Sequence, residues 1–162
     1  MPKYNQKGFS LLGVIIAIFI AIIGLMAILN LANISLRGAY SSKMRLIASG
    51  LAQEGIEVVR NFRNSNSDWD DWYNAVSDND YLVQYDSSDL MDFVDIQLRL
   101  DTSSGIYGLY QYDIGNDSSF YRKVSLEKIS ADEVKITVEV KWELKKDQWN
   151  SLIVEDRFWN WK

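Results

Sequence analysis

The chain has 162 residues, 48% of them hydrophobic, a formal net charge of −5, and neither cysteine nor histidine. That length fits one modest domain plus an anchor, since domains run to roughly 100–150 residues. The missing thiols exclude disulfides and thiolate zinc sites, and the acidic balance repels nucleic acid phosphates, so no nucleic-acid partner is indicated.

Residues 1–8, Met-Pro-Lys-Tyr-Asn-Gln-Lys-Gly, are polar and basic, with Lys3 and Lys7 and no apolar run of their own. They have the character of a leader, and their removal would leave 15 basic against 22 acidic residues, a net charge of −7. From Gly8 to Leu36 no side chain is charged, and Phe9 to Leu29 is apolar apart from Ser10, Gly13 and Gly24. About 20 such residues span a hydrocarbon core of roughly 30 Å at a helical rise of about 1.5 Å per residue. A soluble core helix of that length would show a polar face. Residues 9–36 therefore predict a transmembrane helix, or one buried in an assembly. A secretory signal would instead be cut behind its apolar core, where Ala32 and Ser35 are small. The run is, however, about twice the usual signal core of roughly 7–15 residues, and the helical pattern continues past it. Arg37, Lys43 and Arg45 follow the span while Lys3 and Lys7 precede it, so a count of cations slightly favours the topology opposite to the one a leader requires.

Residues 37–63 form an amphipathic continuation, with Tyr40, Met44, Ile47, Leu51, Val58 and Phe62 in one stripe and Glu54, Glu57 and Arg60 largely outside it. One helix from Phe9 to Arg63 is expected, with Gly24, Gly38, Gly50 and Gly55 marking bends or close contacts. Asn64 to Asp89 is a connector rich in Asp, Asn and Ser, with a little helix and a short strand over Tyr81–Tyr85. The period then falls to two. Strands are predicted over Phe93–Leu100, Ile106–Tyr112, Phe120–Ile129, Val134–Trp142 and Asn150–Glu155, with turns at Thr102–Gly105, Asp113–Ser119 and Lys145–Asp147. Links this short predict an antiparallel meander. Residues 64–162 thus form a sheet domain, and a striped helix beside a one-faced sheet is an α+β, two-layer solution in which the long helix packs on the antiparallel sheet.

Lys7-Gly8-Phe9-Ser10-Leu11-Leu12, placed directly before an uncharged span, resembles the cleavage region of type IV prepilins and type II secretion pseudopilins. The resemblance covers about the first 30 residues and the generic helix-then-sheet order. It implies a pilin-like fold, cleavage between Gly8 and Phe9, N-methylation of Phe9, and a prepilin peptidase that does both. Glycine presents no side chain to obstruct such an intramembrane protease. The partners it implies are other pilin-like subunits, the peptidase and the membrane. The location it implies is the cytoplasmic membrane, crossed once, and then an extracellular or periplasmic filament. Most members carry glutamate at the fifth mature position, thought to pair with a neighbour's terminal amine; here that position is Gly13, which suits a minor subunit. The stretch Leu51 to Arg63 looks like the same region of minor pilins of the PilV-like group. The alternative is an uncleaved, signal-anchored extracytoplasmic binding protein.

Two oxygen-rich runs, Asp68/Asp70/Asp71 and Asp113/Asn116/Asp117, invite calcium, but neither has the spacing of a calcium-binding loop, and both are expected to be solvated turns. Trp69, Trp72, Tyr73, Trp149, Trp159 and Trp161 offer an aromatic surface for a partner or a sugar, against which stand core packing and end-sealing. Without histidine, cysteine, a phosphate loop or a nucleophile elbow, the chain is not expected to be an enzyme, and no metal or cofactor is expected.

Overall fold

The computed structural model describes residues 11–87, 89–103, 108–145 and 147–161. They fall into two units, which divide between Ser42 and Lys43. The first unit is helical throughout its described residues, as the first part of α1 (Leu11–Ser65, 55 residues). Every residue there is exposed, including Ile18, Phe19 and Leu31.

The second unit holds the end of α1, the short α2 (Trp69–Ala75) and seven strands. These are β1 (Asn79–Leu82), β2 (Met91–Asp92), β3 (Gln97–Asp101), β4 (Leu109–Gln111), β5 (Asn116–Ser130), β6 (Glu133–Lys145) and β7 (Gln148–Trp159). They form one sheet in which every pairing is antiparallel. The expected α+β fold is what the chain adopts, with the helix packed on the sheet.

The simple meander holds only for β5–β6–β7. One edge of β5 takes β6 along most of its length, while the other is shared by β3 towards its start and β1 further on. Chain order is broken at β4, which pairs with β3 and not with its successor β5. Gly115 permits that return. It has φ +119, and a Cβ on it would lie 2.5 Å from the Leu100 carbonyl oxygen, so only glycine lets the loop pass so close to β3.

Several predicted boundaries shift. The strand expected over Tyr81–Tyr85 lies at Asn79–Leu82, and that over Phe93–Leu100 shortens to Gln97–Asp101. The start of Ile106–Tyr112 lies outside the described residues, and its remainder is Leu109–Gln111. β5 and β7 outrun their apolar stretches at both ends, because a strand held by pairing to a neighbour can carry polar residues: Asn116 lies opposite Leu100 of β3, and Asn150 opposite Trp142 of β6. Between β6 and β7, Asp147 takes the left-handed conformation at φ 65 that a tight turn requires.

The inner face of the sheet alternates as predicted. Val134, Ile136, Val138 and Val140 are fully buried, and Phe120, Val124 and Leu126 face the same core. From α1 the core takes Leu51, Val58 and, partly, Met44, Ile47 and Phe62. Tyr40 is exposed and does not extend the stripe. Ala48, Ala52, Gly55, Ile56 and Val59 complete it, and the small ones among them let the helix axis come close to the strands. At Gly55 an added Cβ would sit 3.1 Å from a methyl of Val138 and 3.4 Å from Cδ of Arg122. Gly24, Gly38 and Gly50 make no such approach.

Candidate functional site

The residues on which the family resemblance rests cluster at the amino terminus of the sequence. The junction of Gly8 and Phe9, expected as the cleavage and N-methylation site, lies outside the described residues. The helix is described from Leu11, and Gly13 sits in its first turns with nothing within 4 Å of where its Cβ would be. It offers neither a charge nor a hydrogen-bonding side chain. Beyond it the exposed surface is continuously aliphatic and aromatic: Ile15 is 55%, Phe19 64%, Leu25 58% and Leu29 55% exposed. Of the described helices, α1 is the one long and apolar enough to cross a membrane. An apolar surface of this extent is unstable in water and needs lipid or other helices around it.

A family model described as the prokaryotic N-terminal methylation motif matches residues 3–29, covering the basic residues, the Gly8/Phe9 junction and the apolar helix. The chain carries the amino-terminal signature of type IV prepilins. No curated protein and no solved structure matches the chain. The prepilin signature marks the chain as a pilin-like precursor and stops at residue 29, so the remaining residues are understood from their own chemistry.

In the second unit the most constrained polar group is Arg122. It occupies an inward position of β5, between Phe120 and Val124, and its side chain is wholly buried under α1. The guanidinium donates to the Leu51 carbonyl at 3.1 Å, to Glu54 Oε1 at 2.9 Å and to the Val83 carbonyl. It thereby ties the helix, β5 and the segment after β1 together. The hydroxyl of Tyr112 donates to the Arg122 carbonyl at 3.4 Å, and burial pushes the Tyr112 phenol above its usual range. Sequence reasoning passed over Arg122, although its phase with Phe120, Val124 and Leu126 is the signal that would have revealed it.

The oxygen-rich runs have structural employment. Asp68 caps α2, its Oδ1 accepting from the Asp71 amide at 2.9 Å, with Asp70 and Asp71 in the first turn where the helix dipole favours them. Asp113 accepts from Gln84 Nε2 at 3.2 Å, and Asp117 pairs with Arg99 at 3.2 Å. Among the described residues no group of three potential ligands is placed to hold a metal ion. Asp101, next to the Gly115 return, accepts from the Ser103 amide at 2.8 Å and from Gln111 at 3.1 Å. The Ser103 bonds hold its carboxyl below the ordinary value of 3.8.

The aromatic residues divide. Trp69 and Trp72 are buried, their rings 5.1 Å apart, and Trp69 Nε1 donates to the Ala131 carbonyl at 2.8 Å. Trp149, Trp159 and Trp161 remain 53%, 46% and 72% exposed.

Proposed function

We propose that the chain is a minor, non-enzymatic structural subunit of a type IV pilin-like surface filament or secretion pseudopilus. A prepilin peptidase cuts it between Gly8 and Phe9 and methylates the new amino terminus at Phe9. The helix after the cut anchors the subunit in the cytoplasmic membrane in a single pass. On assembly the same apolar surface moves among the helices of other pilin-like subunits, which shelter it as lipid had done. The observation that carries this proposal is the coincidence of the methylation motif at residues 3–29 with the start of a helix that is uncharged to Leu36 and exposed at every described residue through Lys43. The minor role is supported by Gly13, since a subunit without a carboxylate there cannot attract a neighbour's terminal amine through that pair.

Intact mass of the chain from the cell envelope, with the peptidase present and absent, tests the processing. The expected result is peptidase-dependent loss of the residues through Gly8 and gain of one methyl group. A chain that keeps those residues in the presence of the peptidase would refute it and favour an uncleaved, signal-anchored extracytoplasmic binding protein. Immunogold labelling tests the minor role, which predicts rare sites or tips; uniform decoration would overturn it.

A further inference from the structure

The end of α1, the segment before α2 and the residues after β7 enclose a cleft of about 300 Å³, at the small end of the roughly 300–1,000 Å³ of small-molecule sites. Trp161 forms one wall and Trp69 another, with Arg63 between them: its Cζ lies 4.9 Å from the Trp161 ring centroid and 5.6 Å from that of Trp69. We propose that this cleft binds a neutral saccharide, with Trp161 as the stacking face and Asn66, Asp68 and Asn160 as partners for its hydroxyl groups.

The wall chemistry selects the ligand class. The cleft has one cation and one anion, Arg63 and Asp68, so it carries no net charge to recruit an ionic ligand. Arg63 is also occupied: it donates to the Trp159 carbonyl and to Asn64 Oδ1, each at 3.3 Å, and both indoles cover it. Its role is to hold the Trp161 ring in place. The amide nitrogens of Asn66 and Asn160 are committed to the Phe62 carbonyl at 2.7 Å and to Asp132 at 3.0 Å, which fixes both side chains. Among the described residues their side-chain oxygens, and the second carboxylate oxygen of Asp68, have no hydrogen-bond partner. Fixed acceptors beside an exposed indole suit a ligand that presents hydroxyl donors and an apolar C–H face on one small ring, and a sugar has both. A purely apolar ligand would strand those acceptors, and an anion would meet the Asp68 carboxylate. End-sealing accounts for the stack of Arg63 on Trp161, but not for three acceptors held open around an indole that is 72% exposed.

The test uses the full chain in a zwitterionic detergent, because a maltoside would itself present a sugar. Tryptophan fluorescence and titration calorimetry are read with three neutral probes: the N-acetylglucosamine hexamer, cellohexaose and maltoheptaose. The three arms distinguish cell-wall-type, β-glucan and α-glucan sources. Saturable binding of at least one is expected, weakened about tenfold or more by Trp161→Ala. Asp68→Asn, which keeps the cap of α2, should weaken it as well, and Trp149→Ala should leave it unchanged. Circular dichroism of each variant separates loss of binding from loss of fold. Absence of saturable binding to all three probes would overturn the proposal, as would equal binding by Trp161→Ala. The outcome is independent of processing and assembly, since binding is measured on the unassembled chain.

Discussion

Arg122 of β5 and Glu54 of α1 meet at 2.9 Å, the arginine side chain fully buried and the glutamate 29% exposed. The pair is unequal. Removing the arginine takes a donor from the Val83 carbonyl and from the Leu51 carbonyl, which keeps its helical partner, and empties a space beneath Gly55. Removing the glutamate charge leaves the guanidinium still held by both carbonyls. Arg122→Ala is therefore expected to cost about 2–5 kcal/mol, as for truncating a large, fully buried side chain. Glu54→Gln should cost less, about 1–3 kcal/mol. Chemical denaturation of the sheet domain in the full chain, followed by near-ultraviolet circular dichroism, measures both. Equal losses would mean that the ion pair, and not the carbonyl bonds, fixes the helix to the sheet.

Gly50 and Gly55 lie five residues apart on one helix and should respond in opposite ways. Gly50 is exposed with nothing near its missing Cβ, so Gly50→Ala should stabilise by up to about 1 kcal/mol through helix propensity alone. At Gly55 a larger side chain would have to displace Val138 and Arg122, and Gly55→Val should destabilise by about 1–3 kcal/mol. Gly115→Ala should be costly too, since it combines a left-handed backbone with a clash against the main chain of β3. Thermal unfolding of the three variants gives the comparison, and a stabilised Gly55→Val would show that the helix stands further from the sheet than described.

Asp101 should shape the acid limb of stability. Its folded carboxyl is held below 3.8 by the bonds from Ser103, so the unfolded chain takes up the proton first. The contribution is complete above about pH 4 and is lost as pH falls through the folded value. Asp101→Asn removes that titration, so stability measured between about pH 2 and 5 should fall less steeply in the variant than in the parent. Parallel acid limbs would refute the assignment.

What the sequence revealed and what it hid follow from the range of the interactions involved. The alternation of Val134 to Trp142 is a local signal, and it located β6 with its buried face. The ends of β5 and β7 were illegible because they are held by pairing with residues distant in sequence, the start of β5 by β3 and the rest by β6. The departure from a meander was hidden for a related reason, since the loop before β5 gives no sign that Gly115 passes β3. The Gly8/Phe9 junction and Gly13 lie in one contiguous stretch, within the matched methylation motif, and such a stretch is legible in sequence alone. The cleft joins Arg63, Asp68 and Trp161, and nothing in their local spacing brings them together.

Gly13 carries the last prediction. In the prepilin resemblance the fifth mature residue is a glutamate that pairs with a neighbouring amine, and counting from Phe9 that residue is Gly13. The site has room, since nothing lies within 4 Å of the position a Cβ would take. A carboxylate in the middle of a bilayer costs about 2.5–3.5 kcal/mol on insertion scales, but near a helix end a side chain can reach the interface, so Gly13→Glu should still partition into the membrane. If the missing carboxylate is what restricts incorporation, Gly13→Glu should raise the number of immunogold particles per filament length several-fold and spread them along the shaft. An amide cannot attract the amine as a carboxylate does, so Gly13→Gln should leave the labelling sparse. Sparse labelling for both variants would move the restriction away from this position, to contacts made further along the helix or by the sheet domain.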